Sequence, residues 1–531
     1  MWSTLQLWTA AGDGTLGNVV DHTSDLDVDV NFQGQNGETP LYRACFNGKW
    51  DIVQFLLGFP ASSRNPFRTD NRTVDVNLAN HKEWTPLYAA CFKGHEQIVD
   101  LLLRVGRADV NLQTEDRSSP IHIACEKGHT GIVKLLLANE GVFTNRPTKG
   151  GWRPFSLACL NGHASVVRLL LADQRVDVNM PHHDVDTPFF MSCQIGHREV
   201  VALLLSDPRV DVNKAAQGGW TPLCAACEKD HRNVVKLLLA NARVEPNSAT
   251  KDGWTPLFIA CKNRNTEMAQ LLLSNQRVDV NQQTKDSKTL LFDASFKGHE
   301  DFVRLLLSDK RVDPNKATKD GWTPFFAAVF HGHTNIVRVL LADQRVDVNR
   351  PPNDNVPPFL VACQNGHVEV VQLLLSDPRV DVNKPAQGGW TPFFMACQSG
   401  NLDIVQLLLK NKHADVNKRN VLEGNPLWIS AHHGHLEVVE HLLASGWSVE
   451  THHKTVPGEE GWNNTTAAEI ARSVYYYRAE QYPEAPKRRK KFGIEIADLI
   501  ESYEKDPKQV CASLRKKLGM KCNVLFYYFF I

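Results

Sequence analysis

The sequence predicts an all-α repeat solenoid: stacked helix-turn-helix units, each carrying a hairpin finger, with a degenerate cap at either end. Three landmarks in register predict it. Proline recurs every 34 residues at Pro86, Pro120, Pro154, Pro188, Pro222, Pro256, Pro324, Pro358, Pro392 and Pro426, with Leu290 filling one slot. Pro40 opens the series one unit earlier, across a 12-residue insertion. Asparagine keeps the same spacing at Asn77, Asn111, Asn145, Asn179, Asn213, Asn247, Asn281, Asn315, Asn349, Asn383 and Asn417. A Gly-His pair keeps it too, from Gly94-His95 and Gly128-His129 to Gly332-His333 and Gly366-His367. A period of this length marks stacked supersecondary units, none of which can bury its apolar face alone.

Taken from the N-terminus, residues 1–36 read as a capping repeat, with Leu7-Trp8-Thr9-Ala10-Ala11 as its helical remnant. Residues 37–450 hold twelve full repeats. Gly219–Asn247 shows how one is built. Thr221 offers a side-chain oxygen to the first unpaired amides of a helix, and Pro222 takes the first helical position, where a missing N–H costs nothing. Ala225, Ala226 and Cys227 keep that helix slim enough for close packing. A turn follows at Asp230-His231, where most sister repeats have glycine, the residue at ease with positive φ. The second helix carries Val234, Val235, Leu237, Leu238 and Leu239, an apolar set too wide for one stripe, so it must face its partner helix and both neighbours. Helices of about two turns do not persist alone, so stability must come from stacking. Gly58–Arg72 reads as a Pro/Ser/Asn-rich surface loop and 451–464 as a second insertion. Residues 465–505 read as C-terminal capping helices, around Thr465–Arg472 and Ile494–Tyr503, with an irregular stretch at Tyr475–Lys491 between them. Residues 506–531 read as a tail.

The pattern G-W-T-P-L/F-x-x-A-C-x-x-G-H-x-x-V-V-x-L-L-L ending in V-D-V-N, quoted from Gly253–Ala260, Gly366–Leu375 and Val380–Asn383, resembles the ankyrin repeat. The resemblance covers about residues 1–475. The family usually has 33 residues per repeat, and the extra one here falls in the loop before V-D-V-N. The family histidine after T-P-L survives only as His122; elsewhere the position is Tyr42, Tyr88, Phe190, Phe258, Phe292, Phe326 or Phe394. Aromatic packing is therefore expected to replace the usual Thr–His bonding. The V-D-V-N asparagines resemble those that asparaginyl hydroxylases modify in the family, although bonding of the loop backbone suffices to explain them.

Composition narrows the function. Lys+Arg and Asp+Glu both total 59, so no global field draws the chain to nucleic acid or an anionic membrane. Neither a signal peptide nor an apolar run of membrane-spanning length is visible; the cytoplasm is the expected compartment and the nucleus the second. Of 12 cysteines, Cys45, Cys91, Cys125, Cys159, Cys193, Cys227, Cys261, Cys363 and Cys397 share one repeat position. Stacked helices lie roughly 8–10 Å apart, too far for a disulfide, so these read as core thiols. Cys224-x-x-Cys227 lacks the second pair that zinc requires, and the cluster His432, His433, His435 and His441 lacks completing ligands. No phosphate-binding glycine loop or nucleophile elbow is present. The expectation is no enzyme, no metal and no cofactor. The run Lys487–Lys491 reads as a solvated loop, with a nuclear localisation signal or an acidic-surface contact as the alternatives, and the apolar end Leu525–Ile531 as a segment able to touch a membrane or an apolar groove, its role left open.

What remains is binding of other proteins by a monomer. The resemblance implies contacts at the finger tips and on the first helices lining the concave face. The tip position is Trp84, Trp152, Trp220, Trp254, Trp322 and Trp390. Tryptophan is enriched in binding hot spots; the competing role is as glue between neighbouring fingers. On the first helices, adjacent repeats give two aromatic pairs, Phe46/Phe92 and Phe296/Phe330, either an apolar anchor or part of the packing between helices. The expected function is a scaffold or adaptor. The alternative is a substrate-receptor subunit of a larger enzyme assembly such as a ubiquitin ligase, for which no recruiting box is recognisable.

Overall fold

The computed structural model describes residues 2–23, 28–58, 73–104, 108–183, 185–445, 447, 449–451, 465–472 and 487–520. Most of the Gly58–Arg72 loop, nearly all of the 451–464 insertion and the apolar end Leu525–Ile531 lie outside the described residues. The chain divides into two compact units, 1–278 and 279–531. Among the described residues, the first holds the helical pair Trp2–Asp13 and Leu16–Thr23 followed by seven helix pairs. The second holds five more pairs, ending with Pro426–His433 and Leu436–Ala444, and then the helices Lys487–Lys505 and Pro507–Lys517. Within each unit, first helices pack on first helices and second on second.

Local chemistry sets the helix bounds. Thr85, Thr187, Thr221, Thr255, Thr289, Thr323 and Thr391 each accept a hydrogen bond from the amide three residues on. Proline follows in all but one of them, Leu290 being the exception. The core is the repeating set foreseen from the pattern: in one repeat Leu223, Ala226, Val234, Val235 and Leu238 are at most 2% exposed.

Within each unit, three recurring polar contacts join neighbouring repeats. The V-D-V-N asparagine reaches forward: Asn179 Oδ1 accepts from the Asp211 amide at 2.8 Å, and its Nδ2 donates to the Arg209 carbonyl at 2.7 Å. The arginine of R-V-D-V-N reaches back: Arg209 donates to the Leu171 carbonyl at 2.6 Å while Asp207 holds it at 2.7 Å. That carbonyl belongs to the end of the preceding second helix, where the last C=O groups lack partners and a cation is favoured. Arg175, Arg243, Arg277 and Arg379 repeat the contact on Leu137, Leu205, Leu239 and Leu341. The turn histidine also reaches back. His197 Nε2 donates to the Leu160 carbonyl at 2.8 Å, and His367 to that of Phe330 at 3.0 Å.

The aromatic residues standing where the family has histidine are buried, Phe190, Phe258, Phe292, Phe326 and Phe394 among them. His122 keeps the family bonding, to Ser119 at 2.8 Å and to the carbonyl of Arg146 in the next finger at 2.8 Å. Burial pulls its pKa down to about 4.

The C-terminal segment differs from the sequence expectation in two places. Lys487–Lys491, expected in an irregular loop, opens the helix Lys487–Lys505, since Lys and Arg are good helix formers. The expected tail 506–531 opens with the helix Pro507–Lys517, capped by Asp506 and packed on Leu436–Ala444. Arg515 Nε donates to the Ala444 carbonyl at 2.8 Å, and Lys517 pairs with Glu440 at 2.5 Å. Arg515 thereby does for the last second helix what the ladder arginines do elsewhere.

Candidate partner-binding site

The tip tryptophans differ in what their rings meet. All six are half-buried. Trp84 lies on Tyr88 and Phe92 of its own first helix, ring centroids 5.0 and 5.1 Å away. Trp322 repeats this on Phe326 and Phe330 at 4.8 and 4.9 Å. Trp390 meets Phe394 at 5.0 Å. Trp254 carries the Lys262 ammonium 4.5 Å above its ring. Trp152 stacks at 3.6 Å on His182 of the next finger, whose Nε2 donates to the Gly150 carbonyl. For Trp220 no aromatic neighbour is recorded among the described residues.

The geometry merges two sets that sequence spacing had kept apart. A tryptophan just before the N-cap, an aromatic four residues on and another eight residues on fall along one helix face, because four and eight residues are close to whole turns. The result is a ridge, Trp84-Tyr88-Phe92 in the first unit and Trp322-Phe326-Phe330 in the second. The spacing of eight was legible in the sequence and is the signal that would have joined them.

The phenylalanine pairs, in contrast, are not ring-to-ring pairs. Lys93 lies between Phe46 and Phe92, its ammonium 4.4 and 5.7 Å from the two centroids, and Lys127 stands 5.4 Å over Phe92. His331 lies between Phe296 and Phe330 with centroid distances of 4.5 and 5.1 Å, edge-on to both. Partial burial, together with His333 and His367, pulls the His331 pKa below the usual imidazole value. Phe46 and Phe92 are half-buried; Phe296 and Phe330 are exposed, at 41% and 36%.

Other chemistry is thinly supplied. Cys224 and Cys227 are buried free thiols, and burial raises both pKa values. Among the described residues no group of three or more His, Cys, Asp or Glu could hold a metal ion, and no helix is long and apolar enough to cross a membrane.

No curated protein matches the chain. A family model for ankyrin repeats, written for three copies at a time, matches residues 7–114, 105–182, 174–250, 242–318, 310–386 and 360–453. With the repeating helix pairs and these matches over most of its length, the chain belongs to the ankyrin-repeat family.

Proposed function

We propose that the chain is a non-catalytic scaffold or adaptor that binds proteins through its first-helix face and finger tips. Ankyrin repeats are in general protein–protein interaction modules. The observation that carries the reading is the exposure of Phe296 and Phe330 beside half-buried Trp322. The other recurring groups already have work inside the stack: asparagine, arginine and histidine form the ladders, and cysteine fills the core. The aromatic ridge contributes a partly open apolar face instead, and such faces on a soluble fold mark contact surfaces. Tryptophan within it suits a hot spot. The cytoplasm is the proposed compartment, with the nucleus second.

The test is affinity capture with mass spectrometry on the full chain and on a Phe296→Ala/Phe330→Ala variant. Loss of captured partner with an unchanged thermal midpoint supports the proposal; unchanged capture overturns it. Recovery of ligase subunits with the wild-type chain would favour the receptor role instead.

A further inference from the structure

The two aromatic patches occupy the same repeat register but differ in what covers their rings. In the first unit the residue 35 positions further along the register lies over each phenylalanine: Lys93 over Phe46, allowing for the insertion, and Lys127 over Phe92. In the second unit the same slots hold neutral side chains. His331 packs edge-on to Phe296, and Asn365 donates to the Phe330 carbonyl at 3.2 Å. Lysine or arginine lies over Phe46, Phe92, Trp254, Phe143 and Trp8. Among the described residues, none lies over Phe296, Phe330 or Trp322. Of Phe46, Phe92, Phe296 and Phe330, the two without a cation over the ring are also the exposed ones.

One charge beside the patches changes in the same sense, and two change against it. Arg43, on the first-helix face of the first patch, has Asp293 as its counterpart in the second. Glu126 beside Lys127 corresponds to Gln364, and Asn47 to Lys297. Lys297 holds Asp293 at 2.8 Å along the helix, an i,i+4 pair of a kind that contributes little when exposed, so an incoming cation can share that carboxylate. The first patch carries lysines over its rings. The second, among the described residues, has no cation over its half-open rings, and its acid, Asp293, is paired with Lys297.

We infer that the Phe296–Phe330 patch docks a protein segment anchored by a basic side chain, lysine or arginine, set over the rings that the chain leaves without a cation of its own. Ring faces carry the negative end of the quadrupole and attract an ammonium or guanidinium. The inference rests on the protein-binding reading above and specifies the partner's chemistry.

The test pans the full chain against a random peptide library displayed on phage, and measures selected peptides by fluorescence anisotropy. A His331→Lys/Asn365→Lys variant installs the lysine pattern of the first patch, a pattern the fold already accommodates there; its thermal midpoint checks folding. Peptides rich in lysine or arginine are expected from the wild type. Replacing their basic anchor by methionine should weaken binding about tenfold, and so should the double-lysine variant. Apolar peptides without a basic residue, lost on Phe296→Ala/Phe330→Ala, would overturn the basic anchor while leaving the protein-binding reading in place. Basic peptides that bind the double-lysine variant undiminished, or no selected peptides at all, would also overturn it. Capture of a whole partner decides the broader reading separately.

Discussion

At the residue scale, the glycine of the Gly-His turn has two jobs, and only one follows from local conformation. Gly332 has φ +69°, a left-handed value that a side chain resists. A Cβ there would also stand 2.6 Å from Nδ1 of His367 in the next repeat, the ring that bonds the Phe330 carbonyl. Gly434, in the last repeat, shares the left-handed backbone with φ +75° but has nothing within 4 Å of a built Cβ. The two sites separate the effects. Gly434→Ala should cost about 1 kcal/mol from backbone strain alone. Gly332→Ala should cost roughly a further 1–2 kcal/mol as the ring moves and its hydrogen bond is lost. Urea midpoints compare them, and equal losses would remove the ring contact from the account. Where the turn residue is Asp230, no imidazole faces it; Asn265 donates to its carboxylate at 2.7 Å. The left-handed turn was legible from glycine itself. The second role was not, because it depends on a side chain 35 residues away, and a repeat period gives neighbours without giving their contacts.

At the scale of the element, the finger illustrates how a repeat tolerates a poor residue. Its tip needs a left-handed residue, and Gly151, Gly219, Gly253, Gly321 and Gly389 supply it at positive φ. Glu83, Arg117, Ser287, Asn355 and Glu423 fill the same slot with φ between 58° and 60°. The tip is held so firmly that the penalty is absorbed: Ser287 N–H donates to the Thr284 carbonyl at 2.9 Å, and Gln283 donates to the Ser287 carbonyl at 2.7 Å. Fingers also bond edge to edge, as Lys251 N–H does to the Gly218 carbonyl at 2.8 Å. Ser287→Gly should therefore stabilise the chain by up to about 1 kcal/mol, since glycine meets no Cβ penalty in that conformation. A higher thermal midpoint would show it, and a lower one would mean the serine side chain has a role its geometry does not reveal. Helices, caps and core were readable from Thr-Pro and the leucine rows because these are local signals with strong periodicity. The ridge of Trp322, Phe326 and Phe330 went unread although its spacing was in the sequence, since finger and helix look like separate elements until the chain turns between them.

At the scale of the molecule, legibility faded where the register ended. Asp506-Pro507 is a helix start in plain sight, and Asp506 accepts from Gln509 N–H at 3.0 Å, yet without a repeat to align it the segment read as tail. Within the register, the cysteines offer a readout of how the stack opens. Ten of the described thiols are buried and Cys511 is half-buried. Burial holds the thiols of Cys45, Cys91, Cys159 and Cys193 well above the usual range, so neither access nor thiolate is available until a helix pair opens. In a stack stabilised by nearest-neighbour interfaces, units near an end open more readily than interior ones. Within residues 1–278, Cys45 lies one helix pair from the N-terminal cap, while Cys159 and Cys193 have full repeats on both sides. Pulsed alkylation at rising urea, read by mass spectrometry, should modify Cys45 before Cys159 and Cys193, with Cys511 already modified in native buffer. Simultaneous modification of Cys45, Cys159 and Cys193 would show that these repeats open as a single block, and the picture of modules that borrow their core from adjacent modules would have to give way to one cooperative domain.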